Sequence, residues 1–205
     1  MTAPVPAARR RPGRGPGLGS QRQAGRHSLD SLSAAEVGTE RLLLTPPQVR
    51  DAGEMARVLG DARLHEFTGG APASTAGLRA RYERLVAGAP DPAVNWLNWI
   101  VRLRATGEAV GTVQATVTGG LQTASTGCLS AGVAWVIGMP WQGRGYATEA
   151  ARGLVSWLLG QGVVIITACV HPDHLASARV AARAGLSPTD RVIDGETVWR
   201  LSARQ

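Results

Sequence analysis

The chain contains no lysine: all 22 of its Lys-plus-Arg residues are arginine. That excludes the P-loop phosphate site, the pyridoxal-phosphate Schiff base and the lysine aldolase, each of which needs a primary-amine side chain. Cysteine is scarce too, with only Cys128 and Cys169. Two thiols make neither a disulfide framework nor a four-cysteine zinc site. No apolar run approaches the roughly 18 residues that a membrane span requires. What is present is a composition 44% hydrophobic and 18% charged, which suits a folded globular protein. At 205 residues, one domain with a short extension is expected.

Composition divides the chain near residue 38. The stretch RRPGRGPGLGSQRQAGRHS is rich in Gly, Pro and Arg and has no apolar period. It buries too little surface to offset its ordering entropy, so residues 1–38 read as a disordered tail and 39–205 as a single domain. The tail holds six Arg against Asp30 and Glu36, and so more than half of the +7 net charge. It reads either as a basic arm for an acidic partner or as a solvated extension. It has no aromatic residue to stack on bases, so a nucleic-acid partner is not expected.

Beyond residue 38 the pattern is regular. RLLLT (41–45) reads as a strand stopped by Pro46-Pro47. Residues 48–60 and 74–88 have helical periodicity, the second with Ser74 as N-cap and Gly88 as stop. Residues 95–117 read as a hairpin around a Thr-Gly turn, and 131–138 as a strand. The segment 145–160 carries one apolar stripe and reads as a helix. GVVIITACV (162–170) suits a strand covered on both faces, on which Cys169 behaves as a small apolar residue. A short helix over 176–185 precedes a hairpin turning at Asp194-Gly195.

The stretch VAWVIGMPWQGRGYATEA is strand, glycine turn and helix. Glycines 143 and 145 let backbone approach a ligand closely. The helix behind them offers unpaired N–H groups and the positive end of its dipole, which together suit a phosphate or pyrophosphate. A dinucleotide fingerprint fails by one position, because Thr148 stands where the third small residue belongs. The turn instead fits Q/R-x-x-G-x-G/A at Gln142, Gly145 and Ala147.

With TERLLL (39–44), WQGRGYATEA (141–150) and VHPDHLASARVAARAGL (170–186), the chain resembles the GNAT superfamily of N-acetyltransferases, nearest its Rim-type branch. The resemblance implies an α/β fold with a central mixed sheet of about seven strands. That sheet splays between the fourth and fifth strands and is flanked by about four helices. It implies acetyl-CoA as co-substrate and no metal. The pyrophosphate would lie on the amides of Gln142, Gly143, Arg144, Gly145, Tyr146 and Ala147, with main-chain groups of Val136 and Ile137 meeting the pantetheine arm. The implied reaction is acetyl transfer to a primary amine of a peptide N-terminus or small molecule by direct attack. The implied setting is cytoplasmic, without a membrane partner, and a homodimer is the default among relatives.

The resemblance also shows departures. Gly132 and Val133 stand where family members often carry a glutamate base, His174 stands for an Asn, and Ala181 for a Tyr. Ser177 matches a serine that can protonate the leaving thiolate, or else it bonds helix backbone. His174 would orient cofactor or loop, or act as the base. As a metal site, His171 and His174 lack a third ligand. Glu149 is either a functional carboxylate or a stabiliser of the helix N-terminus. Trp96 or Trp99 would line the acceptor pocket with the loop 65–74, where Glu66 would attract a cationic amine. The missing acid and Tyr leave a second reading open: a CoA-binding module that senses without turnover.

Overall fold

In the computed structural model, the described residues are 29, 32–67, 69–119 and 128–202. They form one eight-stranded mixed sheet with helices on both faces. The strands are β1 (Val37–Gly38), β2 (Leu42–Thr45), β3 (Val94–Leu103), β4 (Ala109–Gly119), β5 (Leu129–Ile137), β6 (Val163–Val170), β7 (Ser187–Ile193) and β8 (Glu196–Ser202). The helices are α1 (Ala52–Val58), α2 (Thr75–Ala87), α3 (Tyr146–Gly160) and α4 (Leu175–Arg183). The spatial order is β1-β2-β3-β4-β5-β6-β8-β7. Only β5 and β6 pair in parallel, because α3 supplies the crossover between them.

Local chemistry sets the boundaries. Ser74 caps α2 by accepting from the Gly77 amide at 3.1 Å, and Gly88 ends that helix at φ 90°. Asp194 and Gly195 both have positive φ, the geometry of a two-residue hairpin turn, between β7 and β8. The larger core lies between the sheet and α3, where Ala150, Leu154 and Leu158 meet Leu97, Val113, Val133 and Ile166. A smaller core under α1 and α2 gathers Met55, Leu78, Tyr82 and Ile100. Arg102 on β3 pins α1 to the sheet through Asp51 at 3.0 Å and Glu54 at 2.9 Å.

Two expectations change. The domain begins before residue 39. Leu32 is 5% exposed within the main core, Val37–Gly38 pairs with β2, and Trp99 Nε1 donates to the Ala35 carbonyl at 2.7 Å. Asn95 Nδ2 holds the carbonyls of Leu29 and Leu32. No period marks this segment in the sequence, since its anchors are backbone carbonyls and the scattered apolar residues Leu29, Leu32, Ala34 and Val37. Residues 1–28, where the arginine-rich reading falls, lie outside the described residues. Second, β6 is not covered on both faces: Ala168 and Val170 are buried, but Cys169 is exposed, and burial of its surroundings still pushes the thiol pKa up. Among the described residues no helix is long and apolar enough to cross a membrane.

Candidate functional site

The glycine turn is an open bend. Gly138 leaves β5 where a Cβ would strike the Val58 carbonyl at 2.6 Å and the Trp141 ring at 2.9 Å, so only glycine fits. Gly143 and Gly145 follow with φ 73° and 81°, conformations that other residues rarely adopt. Gly145 is the N-cap of the 15-residue helix α3 and offers no side-chain cap. The amide of Glu149 closes the first turn onto the Gly145 carbonyl. Among the described residues nothing accepts from the amides of 143–148. Their side chains do not fill the bend: a Cβ at Gly143 would meet nothing within 4 Å. Gln142 turns its side chain back, donating Nε2 to the Ile137 carbonyl at 2.8 Å.

Glu149 holds this bend to the N-terminal corner of the sheet. It accepts from Thr39 Oγ1 at 2.6 Å, from the Arg41 amide at 2.7 Å and from Arg41 Nε at 2.7 Å. Burial raises its pKa, but these donors outweigh burial and keep the carboxyl below its ordinary range. Arg41 Nη1 reaches the Arg144 carbonyl at 3.1 Å, and the guanidinium lies over the Tyr146 ring at 4.8 Å. Its Nη2 is 3.5 Å from where a Gly145 Cβ would stand. A second cation thus borders the bend beside Arg144. No local pattern around Arg41 announces this, because its partners lie more than 100 residues along the chain.

Beside the bend, the sheet opens. The pairing of β5 with β6 runs from Leu129↔Val163 to Gly132↔Thr167 and stops there. Residues 133–137 and 168–170 continue as strands without each other, each still paired on its far side. The Gly138 amide donates to the Val110 carbonyl, which sets the phase of the β4–β5 ladder. Even-numbered residues of β5 face β4 and odd-numbered ones face the gap. Val136 therefore belongs to the ladder, contrary to expectation. Val133 and Trp135 present main-chain groups to the opening, as does the amide of Ile137, whose carbonyl already accepts from Gln142.

The loop after β6 and helix α4 form one wall. Ser177, in the first turn of α4, accepts from Trp135 Nε1 at 3.1 Å. Indole N–H is donor only, so the serine proton stays free. Among the described residues the hydroxyl donates to no backbone carbonyl. His174, the residue before α4, stacks on Phe67 with ring centroids 4.3 Å apart, and His171 meets the other part of that ring at 5.4 Å. Burial lowers the His174 pKa, Glu66 pulls it back up in part, and His171 lowers it further. Its imidazole is therefore neutral at pH 7. Phe67, the sole phenylalanine of the chain, thus docks the loop containing Glu66 against the His-Pro-Asp-His turn. Sequence periodicity carries no signal for this contact.

The two tryptophans of β3 separate cleanly. Trp99 is fully buried, hydrogen-bonded to Ala35 and edge-on to Trp157 at 5.2 Å. It faces α3 and cannot line an acceptor pocket, which corrects the expectation for that residue. Trp96 lies on the opposite face, half-buried, in a groove of about 250 Å³ between α2 and the sheet. On that same face Trp96 stands opposite Thr116, and Thr116 opposite Gly132. A Cβ at Gly132 would meet only Thr167 Oγ1 at 4.0 Å, so the space over Gly132 is open.

Residues 41–187 match the family model described as an acetyltransferase (GNAT) domain. No curated protein matches the chain. Among solved structures, an acetyltransferase from Agrobacterium tumefaciens is 25% identical with a TM-score of 0.58, covering 87% of this chain and all of its own. A GNAT-family acetyltransferase from Bacillus anthracis is 16% identical at TM-score 0.62, covering 82% of this chain and 98% of its own. RimL, a ribosomal-protein α-N-acetyltransferase solved with coenzyme A, is 12% identical at TM-score 0.64, with the same coverages of 82% and 98%.

Proposed function

We propose that this chain, which belongs to the GNAT acetyltransferase family, transfers the acetyl group of acetyl-CoA to a primary amine by direct attack. The observation that carries this reading is the unpaired amide set at 143–148 beside the open end of the β5–β6 pair. A pyrophosphate is the ligand that such a bend suits. An amide-bearing linear arm suits the strand edges at Val133, Trp135 and Ile137. Arg41 and Arg144 add charge at the bend. When bound, the thioester supplies an acyl carbon that an uncharged amine can attack.

The chain's own residues then handle two protons. The amine must lose one as its nitrogen bonds to the acyl carbon, and the sulfur must gain one as the C–S bond breaks. His174, neutral because burial lowers its pKa, is the candidate acceptor of the first, directly or through water. Ser177 is the candidate donor of the second, and water replaces its proton. Trp135 holds the serine oxygen so that its hydrogen points away from the indole. Gly132 supplies no carboxylate, so the rate rests on positioning and on the fraction of amine already neutral.

Gly132 is also the observation that favours a second reading, CoA binding without turnover. Thermal unfolding and thiol release separate the two. Acetyl-CoA at 100 times its Kd should stabilise the protein by about 2.7 kcal/mol. Release of free thiol with a panel of amines and N-terminal peptides marks the enzyme, whereas stabilisation without release for any acceptor marks the binding module. In the enzyme, Ser177→Ala should lower kcat by roughly 100-fold or more and leave the acetyl-CoA-induced shift intact. Unchanged turnover removes Ser177 from the mechanism.

A further inference from the structure

Resting on the transferase reading, we infer that the acceptor is a primary amine tethered to an anionic group, carboxylate or phosphate, which docks in the α2–sheet groove. The groove is lined by Arg81 and Arg84 of α2 and by Trp96, Asn98, Gln114 and Thr116 of the sheet. Arg81 and Arg84 are one helical turn apart on α2, beside the Leu78–Tyr82 packing face, so both guanidiniums reach the same trough. Among the described residues neither has a carboxylate partner; Arg81 Nη2 only approaches Gln114 Oε1 at 3.4 Å.

Asn98 adds a polar group to the groove wall. It is 9% exposed, the one buried polar residue among those described, and the polar atoms of its side chain keep contact with solvent. It borders both this groove and a smaller cavity of about 20 Å³ behind it. Two guanidiniums without a carboxylate partner among the described residues, a side-chain amide and an indole together describe a subsite for an anion on an apolar stem.

The register connects this subsite to the reacting end. Trp96, Thr116 and Gly132 sit opposite one another on three adjacent strands and point to one face. Neighbouring strands are about 4.8 Å apart, so Trp96 lies about 10 Å from Gly132, where the β5–β6 gap begins. Thr116 is exposed and Gly132 has no side chain, so the path between them is unobstructed. Glu66 precedes Phe67, which stacks on His174, and so brings negative charge beside that turn. The site is thus bipolar: a carboxylate near the amine and two guanidiniums one short linker away.

The test uses the full chain, acetyl-CoA and matched acceptors. One arm compares aminohexyl phosphate with hexylamine. The other compares C-terminally amidated tetrapeptides carrying Glu, Gln or Lys at the third position. The anionic acceptor should be preferred by about tenfold or more in kcat/KM. Arg81→Gln and Arg84→Gln should each erase most of that preference through KM, leaving the neutral acceptor and the acetyl-CoA-induced thermal shift unchanged. Which arm responds identifies phosphate or carboxylate. Equal or reversed preference in the unaltered protein overturns the inference, as does an equal loss for neutral and anionic acceptors in the variants. If no acceptor is turned over, equilibrium dialysis of the N-acetylated Glu tetrapeptide in the presence of CoA decides. Binding that depends on both arginines upholds the groove and removes the transferase reading, while no binding removes the groove.

Discussion

Replacing Glu149 by Gln separates a structural carboxylate from a reacting one. The substitution keeps the side-chain volume and one carbonyl oxygen. That oxygen can still accept from Thr39 and from the Arg41 amide, but the new NH₂ faces Arg41 Nε, donor against donor. The carboxylate is only 15% exposed while the Arg41 side chain is 47% exposed, so the ion pair itself contributes at most about 1 kcal/mol. A charged acceptor roughly doubles the strength of a hydrogen bond, so neutralising it costs about another 1 kcal/mol over the two remaining bonds. Loss of negative charge from the first turn of α3 adds a few tenths. The expected destabilisation is about 2 kcal/mol, a fall in Tm of about 4–8 °C for a chain of this size. The pH dependence gives a second check. The folded-state pKa of Glu149 lies below its ordinary value of 4.5, so its contribution is complete above that value and is lost as the pH falls through the folded value. Thermal unfolding followed by circular dichroism from pH 3 to 8 should show the two proteins converging in acid. Equal Tm values at pH 7 with turnover collapsed would refute this reasoning and make Glu149 a reacting group.

Three further outcomes follow from the same geometry. Gly145→Ala forces an L side chain to φ 81° at a cost of about 1–2 kcal/mol and puts a methyl at the mouth of the bend; the acetyl-CoA-induced thermal shift should shrink by more than the loss in Tm of the free protein, and an undiminished shift would count against the anion site. For His174, whose pKa is lowered, the folded protein binds fewer protons than the unfolded chain below the ordinary value of 6.5, so its contribution to stability rises as the pH climbs toward that value. The kcat/KM profile should carry an inflection below pH 6.5 that His174→Gln lacks, and matching profiles would remove it as base. Trp99→Ala should cost about 3–5 kcal/mol in urea unfolding, since it empties a fully buried site and orphans the Ala35 carbonyl; a loss under 1 kcal/mol would contradict the core assignment.

How far the sequence was legible depends on whether an interaction is local. The strand, glycine turn and helix around 138–160 are written in adjacent residues, because positive-φ glycines and an apolar stripe leave marks a few positions apart. The Asp194-Gly195 hairpin and the Ser74 cap are legible for the same reason. Contacts between distant segments left no such mark. Arg41 finds Glu149, Trp135 finds Ser177 and Phe67 finds His174 only when the topology brings them together. The placement of Val136 depended on ladder phase, which shifts with a single residue. The three-residue spacing of Trp96 and Trp99 did put them on opposite faces, but which face held the core required the helices to be in place. Arg81 and Arg84 had a readable helical spacing, yet nothing in it named the sheet residues across from them.

The unpaired stretch of β5 and β6 has a consequence for the company this protein keeps. Exposed strand edges usually invite other chains to add on and aggregate. Here two such edges face one another from within the sheet, shielded on their outer sides by β4 and β8. An occupant of that slot meets hydrogen-bonding groups on both flanks, so the interior location turns an aggregation hazard into a berth for something that carries amides along its length.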